Sequence, residues 1–222
     1  MGRALTPDRA RALVLERTRP ARPPVVPELV LHLADDMDEA WASLQHELDD
    51  GDLPPPFWAF AWLGGQAVAR HVLDAPDVVA GRTVLDLATG SGLCALAAAR
   101  AGAARVNAVD VDPVAAEAVR LNAAANSLAV DVVARDLLDD DPPAVDVVLA
   151  GDVFYDAAMS ARVQPWLLAA ARAGCTVLVG DPGRGYLPRA LLTEVAGTDV
   201  PTTRELEGVE VKHVRVYRLR GG

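Results

Sequence analysis

The chain has 222 residues, of which 51% are hydrophobic, and a formal net charge of −10 at pH 7. This length favours a single domain, residues 1–222, with a full apolar core, and the acidic balance argues against a sequence-independent nucleic-acid-binding protein. No apolar stretch approaches the roughly twenty residues of a membrane helix, and no signal-peptide core is evident. We therefore expect a cytoplasmic protein that binds neither nucleic acid nor membrane.

The first part of the chain, residues 1–75, is predicted to be helical with an aromatic segment. Helices are predicted at residues 7–17 and 35–48, joined by a proline-rich extended connector at residues 20–27. Before a third predicted helix, residues 66–74, four aromatic residues fall within six positions: Phe57, Trp58, Phe60 and Trp62. We expect at least one of these rings to face a ligand pocket.

From residue 76 onward, strands alternate with helices. Strands are predicted near residues 83–88, 105–110, 130–134, 145–150 and 175–180, and helices near 92–101, 113–125, 157–172 and 187–196. This alternation predicts an α/β, doubly wound, Rossmann-like sheet for residues 76–222. The final segments, residues 199–205 and 209–219, have strand composition and a short connection, which predicts a C-terminal antiparallel hairpin at the sheet edge.

The stretch from residue 83 to residue 112 predicts a nucleotide-cofactor pocket. It reads as a buried strand, a turn containing Gly90 and Gly92, a helix of small residues, and a second strand that ends at Asp110. The glycines let the backbone approach a ligand, and the carboxylate is positioned to bind a ribose diol. NAD and S-adenosylmethionine (SAM) both carry this diol. Asp86 would repel a diphosphate and attract an ammonium or sulfonium group, which favours SAM.

A second group of candidate residues follows the predicted strand at 145–150. Asp152 and Tyr155 come directly after it, at the edge where open parallel sheets bind their ligands. Asp136 follows the preceding strand and should approach the adenine amino group, although a solvated turn is the alternative interpretation. Trp62 is the candidate for covering the cofactor, because an indole face attracts a sulfonium cation.

These motifs resemble a known family. The pattern D-x-x-x-G-x-G followed by V-D is similar to the seven-strand SAM-dependent methyltransferases, and the D-x-x-Y of residues 152–155 is similar to a group of protein lysine methyltransferases. Over nearly the whole chain, the sequence resembles the electron transfer flavoprotein β-subunit lysine methyltransferases, in the motifs FWAFAW (57–62), GGQ (64–66), GDVFY (151–155), GDPGR (180–184) and VPTT (200–203). Leu63 and Ala88-Thr89 depart from the expected pattern, in backbone detail only.

The resemblance implies a seven-strand sheet, SAM as the cofactor, and methyl transfer to a lysine Nε of a protein. It nominates the electron transfer flavoprotein β subunit, with a lysine-rich ribosomal protein as another acceptor. By resemblance, Asp152 would accept a hydrogen bond from the incoming amine, Tyr155 would shape the lysine channel, and Gly151 would lie at the cofactor.

Other interpretations stay open at this point. Asp152 could instead cap the following helix, and Tyr155 could be a packing residue. A small-molecule N-methyltransferase or a non-catalytic SAM-binding docking module would share the cofactor site, whereas a NAD oxidoreductase is weakened by the absence of a Tyr-x-x-x-Lys pair. The histidines lack ligand spacing, and Cys94 and Cys175 read as buried thiols, so we expect no metal.

Overall fold

The computed structural model describes residues 5–48, 50–51 and 53–221. In this part of the chain the helices are α1 (Pro7–Arg17), α2 (Met37–Leu48), α3 (Leu63–Asp74), α4 (Leu93–Arg100), α5 (Pro113–Ala125), α6 (Ala157–Arg172) and α7 (Arg204–Glu207). The strands are β1 (Arg19–Ala21), β2 (Leu31–Leu33), β3 (Thr83–Leu87), β4 (Arg105–Asp110), β5 (Asp131–Ala134), β6 (Val147–Ala150), β7 (Thr176–Asp181), β8 (Leu192–Pro201) and β9 (Val211–Leu219). Short 3-10 helices lie at Phe57–Ala59, Pro76–Val78 and Arg189–Leu191.

Among the described residues, seven strands form one sheet in the order β5-β4-β3-β6-β7-β9-β8. Strands β3 to β7 are parallel, and β9 runs antiparallel to both β7 and β8. The chain order reverses beside β3, which pairs with β4 on one side and with β6 on the other. Ligands of open α/β sheets bind at the carboxyl ends of the strands at such a point, so the topology places the site there.

Helices cover both faces of this sheet. On one face, buried residues of α3, α4 and α5 pack against Val84, Val106, Leu149 and Leu178. On the other face, α6 contributes Val163, Trp166, Leu167 and Ala170, which pack against the opposite side of the central strands. Outside these layers, α1 and α2 pack on α5 around a smaller apolar cluster that includes Trp58. The predicted doubly wound α/β fold is confirmed.

Local capping signals explain why several helices begin where the sequence predicts. The Asp112 carboxylate accepts a hydrogen bond from the Val114 N–H at 2.7 Å, and Pro113 occupies the first helical position of α5. At α6, the Asp156 carboxylate accepts from the Met159 N–H at 2.7 Å. Both arrangements satisfy N–H groups that have no partner inside the helix.

The predicted helix at residues 187–196 is wrong. A 3-10 turn occupies Arg189–Leu191, and Leu192–Pro201 is strand β8, which pairs with β9 along its whole length. Antiparallel pairing with β9, the next strand along the chain, has overridden the helical pattern of this stretch. The C-terminal hairpin is confirmed, but its first strand begins earlier than predicted, and its connection contains α7.

The predicted extended connector at residues 20–27 contains the end of a small ribbon. Strand β1 pairs with β2 in antiparallel register, with Pro20 opposite His32. Three-residue strands give too short a pattern to be predicted from the sequence. Among the described residues, no helix combines the length and the apolar composition that crossing a bilayer requires. Residues 1–4, 49, 52 and 222 of the predicted domain lie outside the described part.

Candidate active site

A cavity of about 760 Å³ opens at the carboxyl ends of β3, β4 and β6, where the strand order reverses. All of the predicted site residues except Gly92 line this cavity. The lining residues among them are Trp62, Asp86, Gly90, Asp110, Asp136, Gly151, Asp152 and Tyr155. The topology therefore brings together residues that are spread over ninety-odd positions of the chain. The cavity is large enough for a nucleoside-sized cofactor beside a second group.

The turn after β3 is held in a left-handed backbone conformation. Gly90 has a φ of 52° and Gly92 a φ of 82°, and Ala88 shares this region with a φ of 53°. A Cβ at position 92 would lie 3.0 Å from a methyl carbon of Val119 on α5. Gly92 thus allows α4 to pack closely on α5 and shapes the turn without lining the cavity.

Asp86 is a buried carboxylate below this turn, with 1% of its surface exposed. Its Oδ2 accepts hydrogen bonds from the Thr89 hydroxyl at 2.5 Å and from the Ala95 N–H at 2.9 Å. Burial raises its pKa to about 7, and the nearby Asp110 charge acts in the same direction, although both hydrogen bonds oppose the shift. A cation in the cavity would stabilise the ionised form.

Asp110 ends β4 beside the glycine turn. Its Oδ2 accepts from the Gly90 N–H at 2.9 Å, and its Oδ1 accepts from the Asp112 N–H at 3.0 Å. Burial raises the pKa of this carboxyl group. Each carboxylate oxygen has more than one acceptor site, so Asp110 can still receive hydrogen bonds from a diol.

Asp136 lies at the rim, with 35% of its side chain exposed. Its Oδ1 accepts from the Leu138 N–H at 2.9 Å, and its Oδ2 pairs with an Arg162 nitrogen at 2.8 Å. The Arg162 hydrogen bond lowers the pKa of Asp136. The ion pair with α6 was not predicted from the sequence, because it joins two elements far apart in the chain.

Asp152 is a further carboxylate of the cavity, next to the start of α3. Its Oδ2 accepts a hydrogen bond from the Gly65 N–H, in the first turn of α3, at 2.9 Å. Its Oδ1 is buried and has no hydrogen-bond partner among the described residues. Burial raises the pKa of Asp152 to about 7, opposed by the Gly65 N–H and by the positive charge of Arg184. Asp156, not Asp152, caps α6, so the capping alternative is wrong.

Glycines allow α3 to approach the strand ends this closely. A Cβ at Gly64 would lie 2.2 Å from the Gly180 carbonyl oxygen and 2.6 Å from Asp152 Oδ2. A Cβ at Gly151 would lie 3.2 Å from the Gly65 backbone. The backbone N–H groups at the start of α3 can reach the Asp152 carboxylate only because these side chains are absent.

Aromatic rings form the mouth of the cavity. The Phe57 ring centroid lies 5.6 Å from that of Trp62 and 5.5 Å from that of Tyr155, and Phe60 lies 6.1 Å from Trp62. The Trp62 indole N–H donates to the Phe57 carbonyl oxygen at 2.9 Å, which fixes the ring. Tyr155 is 45% exposed, and its partial burial raises its pKa. The expectation that an aromatic ring faces the pocket is confirmed.

Arg184 lines the cavity, where its charge acts on Asp152, and it had no role in the sequence prediction. One guanidinium nitrogen pairs with Glu207 of α7 at 2.9 Å, and the Arg184 backbone N–H donates to Asp181 at 2.7 Å. The motif GDPGR contains both Arg184 and Asp181, but motif spacing could not show which of the two faces the cavity. The described residues contain no group of three or more metal-ligating side chains that could hold an ion.

Comparison with known proteins gives evidence on the family of this chain. Residues 69–153 match the family model of ribosomal protein L11 methyltransferase. The electron transfer flavoprotein β-subunit lysine methyltransferase of Xenopus laevis is 39% identical over 176 residues, which cover 78% of this chain and 70% of the relative. The protein of the same name from Danio rerio is 40% identical over 171 residues, covering 74% of this chain and 66% of the relative.

Solved structures agree with the fold. A candidate RNA methyltransferase from Pyrococcus horikoshii superimposes with a TM-score of 0.54 at 18% identity, covering 82% of this chain and 96% of that chain. The ribosomal protein L11 methylase of Lactobacillus delbrueckii subsp. bulgaricus gives 0.50 at 21% identity, covering 71% and 78%. At this identity the likeness concerns the fold alone, whereas the sequence relatives identify the family. The chain belongs to the electron transfer flavoprotein β-subunit lysine methyltransferase family, and it is a SAM-dependent methyltransferase.

Proposed function

We propose that this enzyme methylates the Nε of lysine in a protein, and that this protein is the electron transfer flavoprotein β subunit. The observation that carries the proposal is Asp152, whose buried Oδ1 has no hydrogen-bond partner among the described residues and whose Oδ2 is held by Gly65. The names of the similar proteins support both the acceptor atom and the substrate.

We assign the cofactor to the part of the cavity around the glycine turn. Asp110 would hold the ribose, Asp136 the adenine amino group, and Asp86 the ammonium end, while Gly90 and Gly151 leave room for close approach. Gly92 would act through the shape of the turn, and Trp62 would cover the bound cofactor. SAM, when bound, supplies an electrophilic methyl group on a cationic sulfur.

The acceptor amine must be neutral to act as a nucleophile. A free lysine has a pKa near 10.4, so deprotonation at about pH 7.4 costs roughly 4 kcal/mol. Desolvation at the cavity mouth lowers this cost. The Asp152 carboxylate, with a pKa of about 7, can accept an N–H hydrogen bond and so orient the nitrogen lone pair. Tyr155 would form one wall of the lysine channel.

The acceptor side of the cavity is open. Phe57 and Tyr155 are 37% and 45% exposed at its mouth, which suits a side chain presented by another protein better than a small molecule that must be enclosed. A protein acceptor of this kind needs only its lysine to enter.

We also propose that residues 1–222 fold as one domain, in which the segment 1–75 covers the core, 76–222. The packing of α3 on the sheet and of α1 on α5 supports this. We propose a cytoplasmic enzyme whose partner is a protein, with no role in binding nucleic acid or membrane; the net charge of −10 supports the exclusion of nucleic acid.

The test is a methylation assay with methyl-labelled SAM and purified electron transfer flavoprotein, followed by mass spectrometry of the labelled peptide. We expect methyllysine in the β subunit with the wild type and its loss with Asp152→Asn. Asp131→Asn is the matched control, because Asp131 is an exposed residue paired with Arg105, outside the cavity lining.

Other outcomes would contradict the proposal. Label in small molecules alone would indicate a small-molecule N-methyltransferase. Label in a ribosomal protein of a cell extract, but not in the flavoprotein, would identify the ribosomal protein as the substrate instead. Tight SAM binding without transfer to any acceptor would indicate a docking module.

A further inference from the structure

Asn122 lies in the last turn of α5, fully buried and outside the cavity lining. Its side-chain Nδ2 donates a hydrogen bond to the Ser91 carbonyl oxygen at 2.8 Å, and its Oδ1 accepts one from the His32 N–H at 2.7 Å. Ser91 stands between Gly90 and Gly92 in the turn that lines the cavity. One buried carboxamide therefore joins the glycine turn to strand β2.

Asn126, the C-terminal cap of α5 and four residues after Asn122, provides an internal comparison. Its Oδ1 accepts from the Val30 N–H at 2.9 Å, and its Nδ2 donates to the Val30 carbonyl oxygen at 2.6 Å. The two asparagines thus hold neighbouring residues of the same N-terminal segment against α5. Only Asn122 continues to the glycine turn.

The same N-terminal segment also contacts the aromatic segment that contributes to the cavity. The Ala34 N–H, just after β2, donates to the Ala59 carbonyl oxygen at 2.9 Å. Ala59 belongs to the 3-10 turn that begins with the aromatic ring of Phe57. Residues 30–34 therefore connect the glycine turn, through Asn122, with the aromatic mouth.

The glycine turn needs such support, because its backbone is not in a broadly favoured conformation. Three of its residues, Ala88, Gly90 and Gly92, have positive φ values. Glycine adopts positive and negative φ values about equally well, so the glycines alone do not fix the conformation of the turn. Hydrogen bonds to the turn are needed to keep it in one conformation. If only a fraction of the molecules has the turn in the conformation that binds the ligand, the apparent affinity falls in proportion to that fraction.

We propose that Asn122 is a positioning residue for SAM binding, which fixes the glycine turn by bonding the Ser91 carbonyl while its own orientation is fixed by the His32 N–H. Without the carboxamide, a buried carbonyl at the turn and a part-buried N–H on β2 both lose their partners. The turn then samples other conformations, and the affinity for SAM falls although no residue that touches the cofactor has changed.

The test compares Asn122→Ala with Asn126→Ala by isothermal titration with SAM, well below the melting temperature of either variant. Both variants remove the partner of a part-buried N–H of the N-terminal segment, so we expect similar losses of melting temperature. Only Asn122→Ala should raise the Kd for SAM, by about tenfold, and in turnover it should raise the KM for SAM but not for the acceptor. Equal Kd values for the two variants would overturn the proposal.

A second variant and a second measurement cover the case in which Asn122→Ala does not fold. Asn122→Asp keeps the acceptor for the His32 N–H and removes the donor to Ser91, so SAM binding should weaken as in Asn122→Ala. In the wild type, SAM should slow hydrogen exchange of the Asn122 side-chain amide and the Gly92 N–H more than that of the Asn126 side-chain amide; equal changes would refute the role. Because SAM alone is the probe, these results do not depend on which protein is methylated.

Discussion

Replacing the proposed acceptor-side carboxylate should stabilise the protein while it abolishes methyl transfer. Burial raises the pKa of Asp152 from 3.8 to about 7. Between these values the folded protein keeps a proton that the unfolded chain has released. The stability from this group is therefore fully present below about pH 4 and is lost as the pH rises through about 7. Asp152→Asn removes this titration with almost no change of shape.

The size of the effect follows from the shift. A difference of about three pKa units corresponds to roughly 4 kcal/mol, which is an upper limit because rotation of the side chain or entry of water relieves part of the penalty. We expect Asp152→Asn to be more stable than the wild type by about 2 kcal/mol at pH 8. For a chain of this size, this is a rise in melting temperature of about 4–8 °C.

The assay is thermal unfolding of both proteins from pH 4.5 to pH 8.5, without ligand, with Asp131→Asn as the control. The difference in melting temperature between Asp152→Asn and the wild type should be close to zero at the acid end and grow through neutral pH, whereas the control should show no such trend. A difference that stays constant with pH, or a less stable variant at pH 8, would refute the argument that Asp152 is a strained, ionisable carboxylate.

Three further predictions concern the backbone and the cofactor side. Gly64→Ala places a Cβ 2.2 Å from the Gly180 carbonyl oxygen, so we expect a loss of about 1–3 kcal/mol in thermal unfolding together with loss of methyl transfer; unchanged stability would mean that α3 can move away freely. Ala88→Gly relieves a left-handed residue at φ 53° and should raise the melting temperature by about 1–4 °C, since the gain exceeds the added entropy of the unfolded chain. Asp110→Ala removes a charged hydrogen-bond acceptor and should weaken SAM binding about 10- to 100-fold in isothermal titration, whereas an unchanged Kd would exclude the ribose assignment.

Much of the fold could be predicted because its signals are local. The bounds of α1, α5 and α6 agree with the prediction, and Pro113 with the caps Asp112 and Asp156 marks where two of them begin. The β1–β2 ribbon and strand β8 could not be predicted in the same way. Strands β1 and β2 have three residues each, and most residues of β8 are exposed, so these segments carry only a weak apolar pattern.

The candidate site shows the same division. The motif spacing was enough to predict that Asp86, Gly90 and Asp110 meet at one turn. Asp86 and Asp110 lie on adjacent parallel strands, and Gly90 follows the first of them. The motif spacing could not show that Asp152 is held by a backbone N–H of α3, or that Arg162 pairs with Asp136. Such contacts depend on the packing of elements that are far apart in sequence. The glycine motifs are the only local signal in the sequence that indicates a close approach of this kind.

The contact between Gly65 and Asp152 also has a consequence for the order in which the site forms. The hydrogen bonds of the glycine turn span 9 residues for Asp86 with Ala95 and 20 for Asp110 with Gly90, whereas the acceptor carboxylate is held across 87 residues. Closing the longer loop costs about 1.3 kcal/mol more in chain entropy than closing the 20-residue one. The turn that joins Asp86, Gly90 and Asp110 can therefore form within one continuous stretch of chain, and Asp152 is fixed later, when α3 docks on β6 and β7. A folding chain would shape the turn proposed to hold SAM before it fixes the carboxylate proposed to orient a lysine.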